Sequence, residues 1–265
     1  MNKLSLSLCV ITLNEETNIR RCLSSVPFAL DIVVLDSGST DNTKNIAQSL
    51  GARVFDEPWR GFGPQKQRSV ELAQNDWVLC LDADEELSSE LQGEIYHLLS
   101  SSSLSYNGYR IPRRSFHLGR WLYFGGWYPD YQTRLFSRSR LQWSDDALHE
   151  SVKGENIGTL DAHLNHYPFE DLADQVQTNN KYSTIGAETM LKSGKKVYFW
   201  HLVIKPWVKF VELYIFKKGF RDGVPGLIVA VGGAYSYFLR FAKMWEKTYL
   251  SKDAPPTNPP TVKGA

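Results

Sequence analysis

The first ninety residues alternate between apolar runs of strand length and apolar residues at helical spacing, and this pattern constrains the fold more than any other feature. The runs cover residues 6–13, 32–35, 53–55 and 77–81. Helical spacing of i, i+3, i+4, i+7 is shown by Ile19, Cys22, Leu23 and Val26, and further helices are predicted around Ile46 and over residues 65–73. Strands that alternate with helices predict an α/β fold, a mostly parallel sheet with helices on both faces. Ligands then bind beyond the carboxyl ends of the strands.

Size and composition favour an ordinary folded protein. The chain has 265 residues, of which 42% are hydrophobic and 22% charged, and its formal net charge is +1. This balance does not favour a nucleic-acid partner. The cysteines Cys9, Cys22 and Cys80 lie in apolar segments without metal-ligand spacing, so we interpret them as reduced core residues.

The second half of the chain is different in character. A helix is predicted over residues 89–99 and strands over 108–112 and 131–136, with a long aromatic loop between those strands. Residues 192–221 carry eight basic side chains and one acidic one among many aromatic residues. We therefore predict a catalytic domain over 1–190, a helical, basic and aromatic extension over 191–250 that contacts a membrane, and a disordered tail over 251–265.

The chain start and its apolar stretches predict the location. No small-residue cleavage site follows the first apolar run, so no signal peptide is indicated. The longest uncharged stretch, residues 224–239, is shorter than the roughly 20 apolar residues of a spanning helix. We therefore expect a peripheral protein on the cytoplasmic side of a membrane.

Polar clusters follow three of the predicted strands, at residues 12–15, 36–41 and 82–85. Carboxylates at such an edge suit a hard cation such as Mg²⁺ or Mn²⁺, which takes its other ligands from substrate phosphates and water. The alternative for Asp84 or Asp41 is helix capping. Neither a P-loop nor a dinucleotide-binding glycine turn is present.

Three segments together, CVITLNEETNI, VVLDSGSTDNT and WVLCLDADEEL, resemble glycosyltransferase family 2, the inverting transferases with a GT-A fold. The further series GFGPQKQR, GGWYPDYQTRLFSR and LHES is similar to bacterial lipopolysaccharide core glucosyltransferases that act on the inner-core heptose. The resemblance implies a hexosyltransferase that uses a UDP-sugar and a divalent metal.

The resemblance also implies roles for individual residues. The nucleotide-sugar donor would be bound by Thr12, Leu13, Asn14, Glu15, Asp36, Ser37, Lys66, Arg68, Asp82 and Ala83. Lys66 and Arg68 would meet the diphosphate, although both also read as solvated helix residues. Asp84, the second aspartate of the DAD sequence, would be the metal ligand.

Inverting transfer needs a carboxylate that deprotonates the acceptor hydroxyl. Glu150, next to His149, is the favoured base, because it lies where the family has its xED motif. Asp130 at the end of the aromatic loop is the alternative. The acceptor site is expected to include Trp127, Tyr128, Arg134 and His149; for the two aromatic residues, loop packing is an equally good interpretation.

The predicted function is transfer of a hexose, glucose from UDP-glucose, onto a lipopolysaccharide inner-core heptose at the cytoplasmic face of the inner membrane. The predicted partners are therefore UDP-glucose, that acceptor and the anionic membrane surface. Two alternatives stay open: a polyprenyl-phosphate sugar synthase on the same fold, and a non-catalytic nucleotide-sugar-binding scaffold at the membrane.

Overall fold

The computed structural model describes residues 2–101, 104–145 and 150–250. The predicted tail over 251–265 lies outside them. Twelve strands are found in the described residues: β1 Leu4–Thr12, β2 Ala29–Asp36, β3 Arg53–Asp56, β4 Trp77–Asp82, β5 Glu85–Leu87, β6 Gly108–His117, β7 Arg120–Leu122, β8 Asp130–Ser137, β9 Gln142–Trp143, β10 Val152–Lys153, β11 Ile157–Thr159 and β12 Leu164–His166. The α-helices are α1 Ile19–Ser24, α2 Thr43–Ser49, α3 Phe62–Glu71, α4 Ser89–Ser100, α5 Leu172–Lys192, α6 Phe199–Val211 and α7 Gly223–Tyr249.

The chain forms two compact units. The first contains the chain up to Phe116 together with Trp127–Pro168, and the second contains His117–Gly126 together with the chain from Phe169 onward. This division differs from the expected boundary near residue 190 in two ways. Helix α5 belongs to the second unit, and a ten-residue segment from the expected catalytic domain joins it.

The first unit is built on one mixed sheet with the order β3-β2-β1-β4-β8-β6-β12-β5. Strands β1 to β4 pair in parallel, as the periodicity predicts, whereas β8 runs antiparallel to both β4 and β6. Parallel strands need crossover helices, and α1, α2 and α3 supply them here. The carboxyl ends of β1, β2 and β4 consequently lie along one edge.

Alternate side chains of β1 enter two different cores, which is why the run reads as continuously apolar. Leu6, Leu8 and Val10 pack with α1 and α4 on one face, and Cys9 packs with Val70 of α3 on the other. All three cysteines are buried and free, which confirms their interpretation as reduced core residues.

The second unit consists of α5, α6 and α7 with the segment from His117 to Gly126. Close backbone approach is built into α7, because a Cβ on Gly226 would lie 1.9 Å from the carbonyl oxygen of Gly219. The carboxylate of Asp222 accepts hydrogen bonds from the backbone amides of Tyr123 and Phe124, and Arg120 donates to its carbonyl. These bonds tie the short segment to the start of α7.

Helix α7 corrects one expectation from the sequence. By length and composition alone, Gly219–Tyr249 could cross a membrane, although the uncharged stretch had argued against such a helix. The helix continues past Arg240 because its later charges have partners: Lys243 donates to Ser183 and Thr184 of α5, and Lys247 pairs with Glu188.

Candidate active site

The loops after β1 and β2 are joined by side-chain hydrogen bonds into one surface. The hydroxyl of Thr12 donates to the carboxylate of Asp36 (2.9 Å). The backbone amide of Asn14 donates to the Ser39 hydroxyl (2.8 Å), and the backbone amide of Thr40 donates to the side-chain oxygen of Asn14 (2.8 Å). Asn14 adopts a left-handed backbone with φ 56°, which asparagine tolerates better than most residues. The structure thus brings together the predicted donor residues of both loops, including Leu13 and Ser37.

Asp36 has a more internal role than predicted. It is buried, and its two oxygens accept hydrogen bonds from Thr12, from the Ser39 hydroxyl and from the amides of Gly38 and Ser39. Burial alone would raise the pKa of this carboxyl, but these donors lower it below its ordinary value. A direct contact of Asp36 with a base would require one of these bonds to be exchanged.

Glu15 lies half-buried beside the acidic edge. Burial raises the pKa of its carboxyl from 4.5 to about 7; a hydrogen bond from Asn18 opposes the change, and repulsion from Asp84, Asp41 and Asp82 adds to it. The edge therefore carries a density of negative charge that a cation would relieve.

The Asp82–Asp84 turn separates two carboxylates with different surroundings. Asp82 is held by two cations: Lys66 Nζ lies 2.8 Å from Oδ1 and an Arg134 nitrogen lies 2.5 Å from Oδ2. Burial opposes ionisation of Asp82, but Arg134 and Lys66 more than compensate, so its pKa lies well below the ordinary value. Ala83 between the two aspartates is buried in the core, so its side chain offers nothing to a ligand.

Asp84 presents a carboxylate oxygen without a protein partner. Its Oδ1 is buried and has no hydrogen-bond partner among the described residues, while His166 Nε2 lies 3.3 Å from Oδ2. The His166 ring is oriented by Ser115, whose hydroxyl lies 3.0 Å from Nδ1. Helix capping by Asp84 is excluded, because β5 follows it and Ser88 is the N-cap of α4.

A carboxylate with an unsatisfied oxygen beside an oriented imidazole fits a divalent cation. Within the described ranges there is no group of three or more His, Cys, Asp or Glu side chains that could hold a metal. A pair of ligands is what a cation that also binds substrate phosphates requires. His166 has no motif spacing to mark it in the sequence, since it meets Asp84 only through the pairing of β12 with β5.

The two candidate bases are placed differently. Glu150 accepts a hydrogen bond from Lys66 at 3.0 Å, and the same lysine contacts Asp82. Asp130 is held more tightly: Arg113 donates twice to its Oδ2 (2.6 and 3.0 Å) and Gln132 donates to its Oδ1 (2.8 Å). Lys66 is nearly buried, so the structure rejects its interpretation as a solvated helix residue.

Five other predicted positions have different outcomes. Arg68 binds Glu57 and Glu71 in a surface ion-pair group, which favours its interpretation as a solvated helix residue. Arg134 is 2% exposed and bound to Asp82 and Glu85, unlike the accessible side chain that a role in acceptor binding predicts. His149 lies outside the described residues. Tyr128 contacts His163 through its hydroxyl (3.3 Å), and Trp127 is half-buried nearby in sequence.

Comparisons with known proteins agree with this architecture. Residues 7–149 match the family described as glycosyl transferase family 2. The chain is 33% identical over 261 residues to the lipopolysaccharide core biosynthesis glycosyltransferase LpsC of Rhizobium meliloti, covering 94% of each, and 32% identical to an uncharacterized glycosyltransferase of Rickettsia conorii, covering 94% and 92%.

A crystal structure of glucosyl-3-phosphoglycerate synthase from Mycobacterium tuberculosis with Mn²⁺, UDP and glucosyl-3-phosphoglycerate is 27% identical, with a TM-score of 0.32, over 44% of this chain and 45% of that one. The family match covers the strands from β1 to β9 and the Asp82–Asp84 turn, ends before Glu150 and His166, and supports the α/β fold of GT-A type. The chain therefore belongs to glycosyltransferase family 2.

Proposed function

We propose that this transferase moves glucose from UDP-glucose onto a heptose of the lipopolysaccharide inner core. The full-length similarity to a lipopolysaccharide core transferase supports the acceptor class. The observation that carries the reaction type is the Asp82–Asp84 turn. It offers one carboxylate neutralised by Lys66 and Arg134 and one, Asp84, with a free oxygen at the edge where the donor loops converge.

Asp84 and His166 would hold the Mg²⁺ or Mn²⁺ ion. Bound there, the ion would act as a Lewis acid that stabilises the charge of the departing diphosphate. The chain itself supplies the remaining steps. The loops after β1 and β2 bind the uridine, and Asp82 accepts hydrogen bonds from ribose or sugar hydroxyls.

We propose Glu150 as the general base in place of Asp130. A base must offer a lone pair to the acceptor hydroxyl. Asp130 has both oxygens engaged, one of them twice, whereas the described contact of Glu150 is a single bond from Lys66 to Oε1. Lys66 would hold Glu150 near Asp82, so that the base and the donor site stay at a fixed separation.

The proposed donor is tested by incubating the protein with Mn²⁺ and a panel of UDP-, GDP-, ADP- and TDP-hexoses and measuring nucleotide release. UDP-glucose should give the highest rate, and chelation of Mn²⁺ should remove it. Faster release from another nucleotide sugar would overturn the donor assignment. Binding of a nucleotide sugar without any release throughout the panel would favour the non-catalytic nucleotide-sugar-binding scaffold.

For the membrane, we propose that the second unit docks through an apolar face of α6, the α6 face, defined by Trp200, Val203, Ile204, Trp207 and Val208. These residues recur at i, i+3, i+4, i+7 and i+8, each more than half exposed, and no residue of α6 is buried. Tryptophan on such a face is typical of helices that lie in the lipid interface.

The lysines contribute less to this docking than their number suggests. Lys209 and Lys217 both pair with Glu212, at 3.0 and 2.8 Å, and Lys209 also lies 5.2 Å from the Tyr237 ring of α7. Lys205 and Lys218 are exposed and would meet anionic headgroups. We therefore propose docking driven by apolar insertion and assisted by charge, on the cytoplasmic face of the inner membrane.

A further inference from the structure

A chain of ion pairs in the first unit joins the two candidate bases through the donor site. Its members, the ion-pair chain, alternate in charge in the order Asp130, Arg113, Glu85, Arg134, Asp82, Lys66 and Glu150. Each successive pair has a nitrogen–oxygen distance of 3.0 Å or less. Arg134 and Glu85 are the buried centre of the ion-pair chain, at 2% and 0% exposure.

Burial of the central pair is costly unless every charge is compensated, because a charge leaving water loses several kcal/mol of hydration. Arg134 meets this condition by donating to Asp82 Oδ2 (2.5 Å) and to Glu85 Oε1 (2.7 Å). Apolar residues in these places would form a simpler core. The buried charges therefore point to a task at Asp82, the more exposed neighbour of Arg134 in the ion-pair chain.

Glu85 also binds the backbone of Asp82. Its Oε2 accepts a hydrogen bond from the Asp82 amide (3.1 Å), while its Oε1 accepts from Arg134 and from Arg113 (2.8 Å). Arg134 lies on β8 next to Leu135, which pairs with Leu79 of β4, three residues before Asp82. Both the amide and the carboxylate of Asp82 are thus held from one buried centre.

We propose that Arg134, together with Glu85, is a positioning residue that sets the orientation of the Asp82 carboxylate for the nucleotide-sugar donor. This rests on the proposed donor role of Asp82. Lys66 holds the other carboxylate oxygen, so neither oxygen can turn toward a cation. Of the two aspartates, the metal then falls to Asp84, with His166 beside it, and Asp82 presents fixed lone pairs to donor hydroxyls.

The test uses UDP with Mn²⁺ as the probe, titrated into the full chain by calorimetry, and UDP-glucose hydrolysis for the kinetic constants. Arg134→Gln should weaken UDP binding and raise KM for UDP-glucose about 10- to 100-fold, the range typical of residues that orient a ligand-binding group, with kcat changed less than about 3-fold. Arg134→Lys keeps the charge and should recover most of the affinity.

A double-mutant cycle separates positioning from general stability. In an Asp82→Asn background the carboxylate to be oriented is gone, so adding Arg134→Gln should weaken UDP binding by less than about 2-fold further. A purely structural role would give additive losses. Arg53→Gln is the matched control, since it breaks another Arg–Asp pair, with Asp31 (2.8 Å), at the amino ends of β2 and β3. It should lower thermal stability and leave UDP affinity unchanged.

Two results would overturn the positioning role: UDP affinity and KM within 2-fold of wild type in folded Arg134→Gln, or additive losses in the cycle. If Arg134→Gln does not fold, Arg134→Lys and Glu85→Gln take its place, and wild-type UDP affinity in a folded Glu85→Gln protein would overturn it equally. Failure of the wild type to bind UDP at all would instead contradict the proposed function.

Discussion

At the residue scale, the two aspartates of the Asp82–Asp84 turn have different neighbours, and this difference is why we propose separate tasks for them. Sequence patterns place both carboxylates at the edge of the sheet, but they do not show which one is neutralised. That depends on Lys66 and Arg134, which are 16 and 52 positions away and reach Asp82 only in the folded unit. The orphaned oxygen of Asp84 is therefore visible only in three dimensions.

Asp84→Asn should abolish Mn²⁺-dependent UDP binding while leaving the thermal midpoint unchanged or slightly higher, because a negative charge that repels Glu15 is removed. Calorimetric titration of UDP with and without Mn²⁺ measures the effect. Asp145→Asn, at an exposed aspartate of the same unit, is the control. Full metal-dependent binding by Asp84→Asn would show that another group holds the cation.

Glu150→Gln should lower turnover by roughly 100- to 10,000-fold without weakening UDP affinity, as expected for loss of a general base. Asp130→Asn is the comparison variant, and its main effect should be on stability, since it removes the partner of Arg113. Turnover measured by nucleotide release in the presence of acceptor distinguishes the two. A large loss in Asp130→Asn with wild-type turnover in Glu150→Gln would reverse the assignments.

Glu15 should make stability depend on pH. Between pH 4.5 and about 7 the folded state keeps the Glu15 proton while the unfolded chain has lost it, so unfolding becomes easier as the pH rises through this window. The effect of Glu15→Gln on the free energy of unfolding should therefore be more favourable at pH 8 than at pH 4, by on the order of 1–3 kcal/mol. Urea unfolding at both pH values measures this, with exposed Glu155→Gln as the control. If the stability of Glu15→Gln and of Glu155→Gln depends on pH in the same way, Glu15 does not have the raised pKa.

At the element scale, local periodicity predicts individual strands and helices but not the pairing of strands that are distant in sequence. Apart from β5, which was not predicted, the strands and helices up to α4 are found close to their predicted bounds, because each is specified by its own apolar pattern. The segment after Gly108 was predicted as a short strand and a loop, whereas β6 continues to His117. Its pairing with β8, β11 and β12 brings together residues up to about fifty positions apart, which no local pattern reveals.

The α6 face predicts how membrane binding responds to substitution. Burying each large apolar side chain contributes about 1.5–3 kcal/mol, so Trp200→Ser with Trp207→Ser should reduce flotation with anionic vesicles by more than 10-fold. Charge reversal at Lys205 and Lys218 should weaken flotation moderately, and high salt should reduce but not abolish it.

Trp59→Ser, at a half-exposed tryptophan of the first unit, is the matched control for this experiment and should float like wild type. Complete release of the wild type at high salt, or wild-type flotation of the double tryptophan variant, would contradict apolar docking. A stable dimer in solution that the tryptophan variant converts to monomer would show that a second copy covers the α6 face.

At the scale of the whole molecule, the second unit is not a simple C-terminal appendage. The segment from His117 to Gly126 interrupts the first unit in sequence and finds its partners after Phe169, notably Gln175, Lys217 and Asp222. Composition predicts a change of character near residue 190, but it does not show which earlier residues cross over. That assignment depends on hydrogen bonds across about 100 positions.

Truncation tests this organisation. A chain ending at Pro168 should be poorly soluble, because Trp121, Leu122 and the amides that Asp222 satisfies lose their partners. The same truncation with residues 117–126 replaced by a short Gly-Ser linker should recover solubility and Mn²⁺-dependent UDP binding. Soluble yield and UDP titration of both proteins are the measurements. Equal solubility of the two would contradict the assignment of the segment to the second unit.

Because residues 117–126 of the second unit lie within the sequence of the first, their contacts can form only late in synthesis. Arg120 leaves the ribosome 102 residues before its partner Asp222. At about 5–20 residues per second, the aromatic segment around Trp121 waits roughly 5–20 s for the helices that cover it. Nascent chains therefore pass through a period with an uncovered aromatic stretch between two strands that must already pair. We therefore expect ribosome pausing that lengthens this interval to lower the fraction of chains that reach the native state.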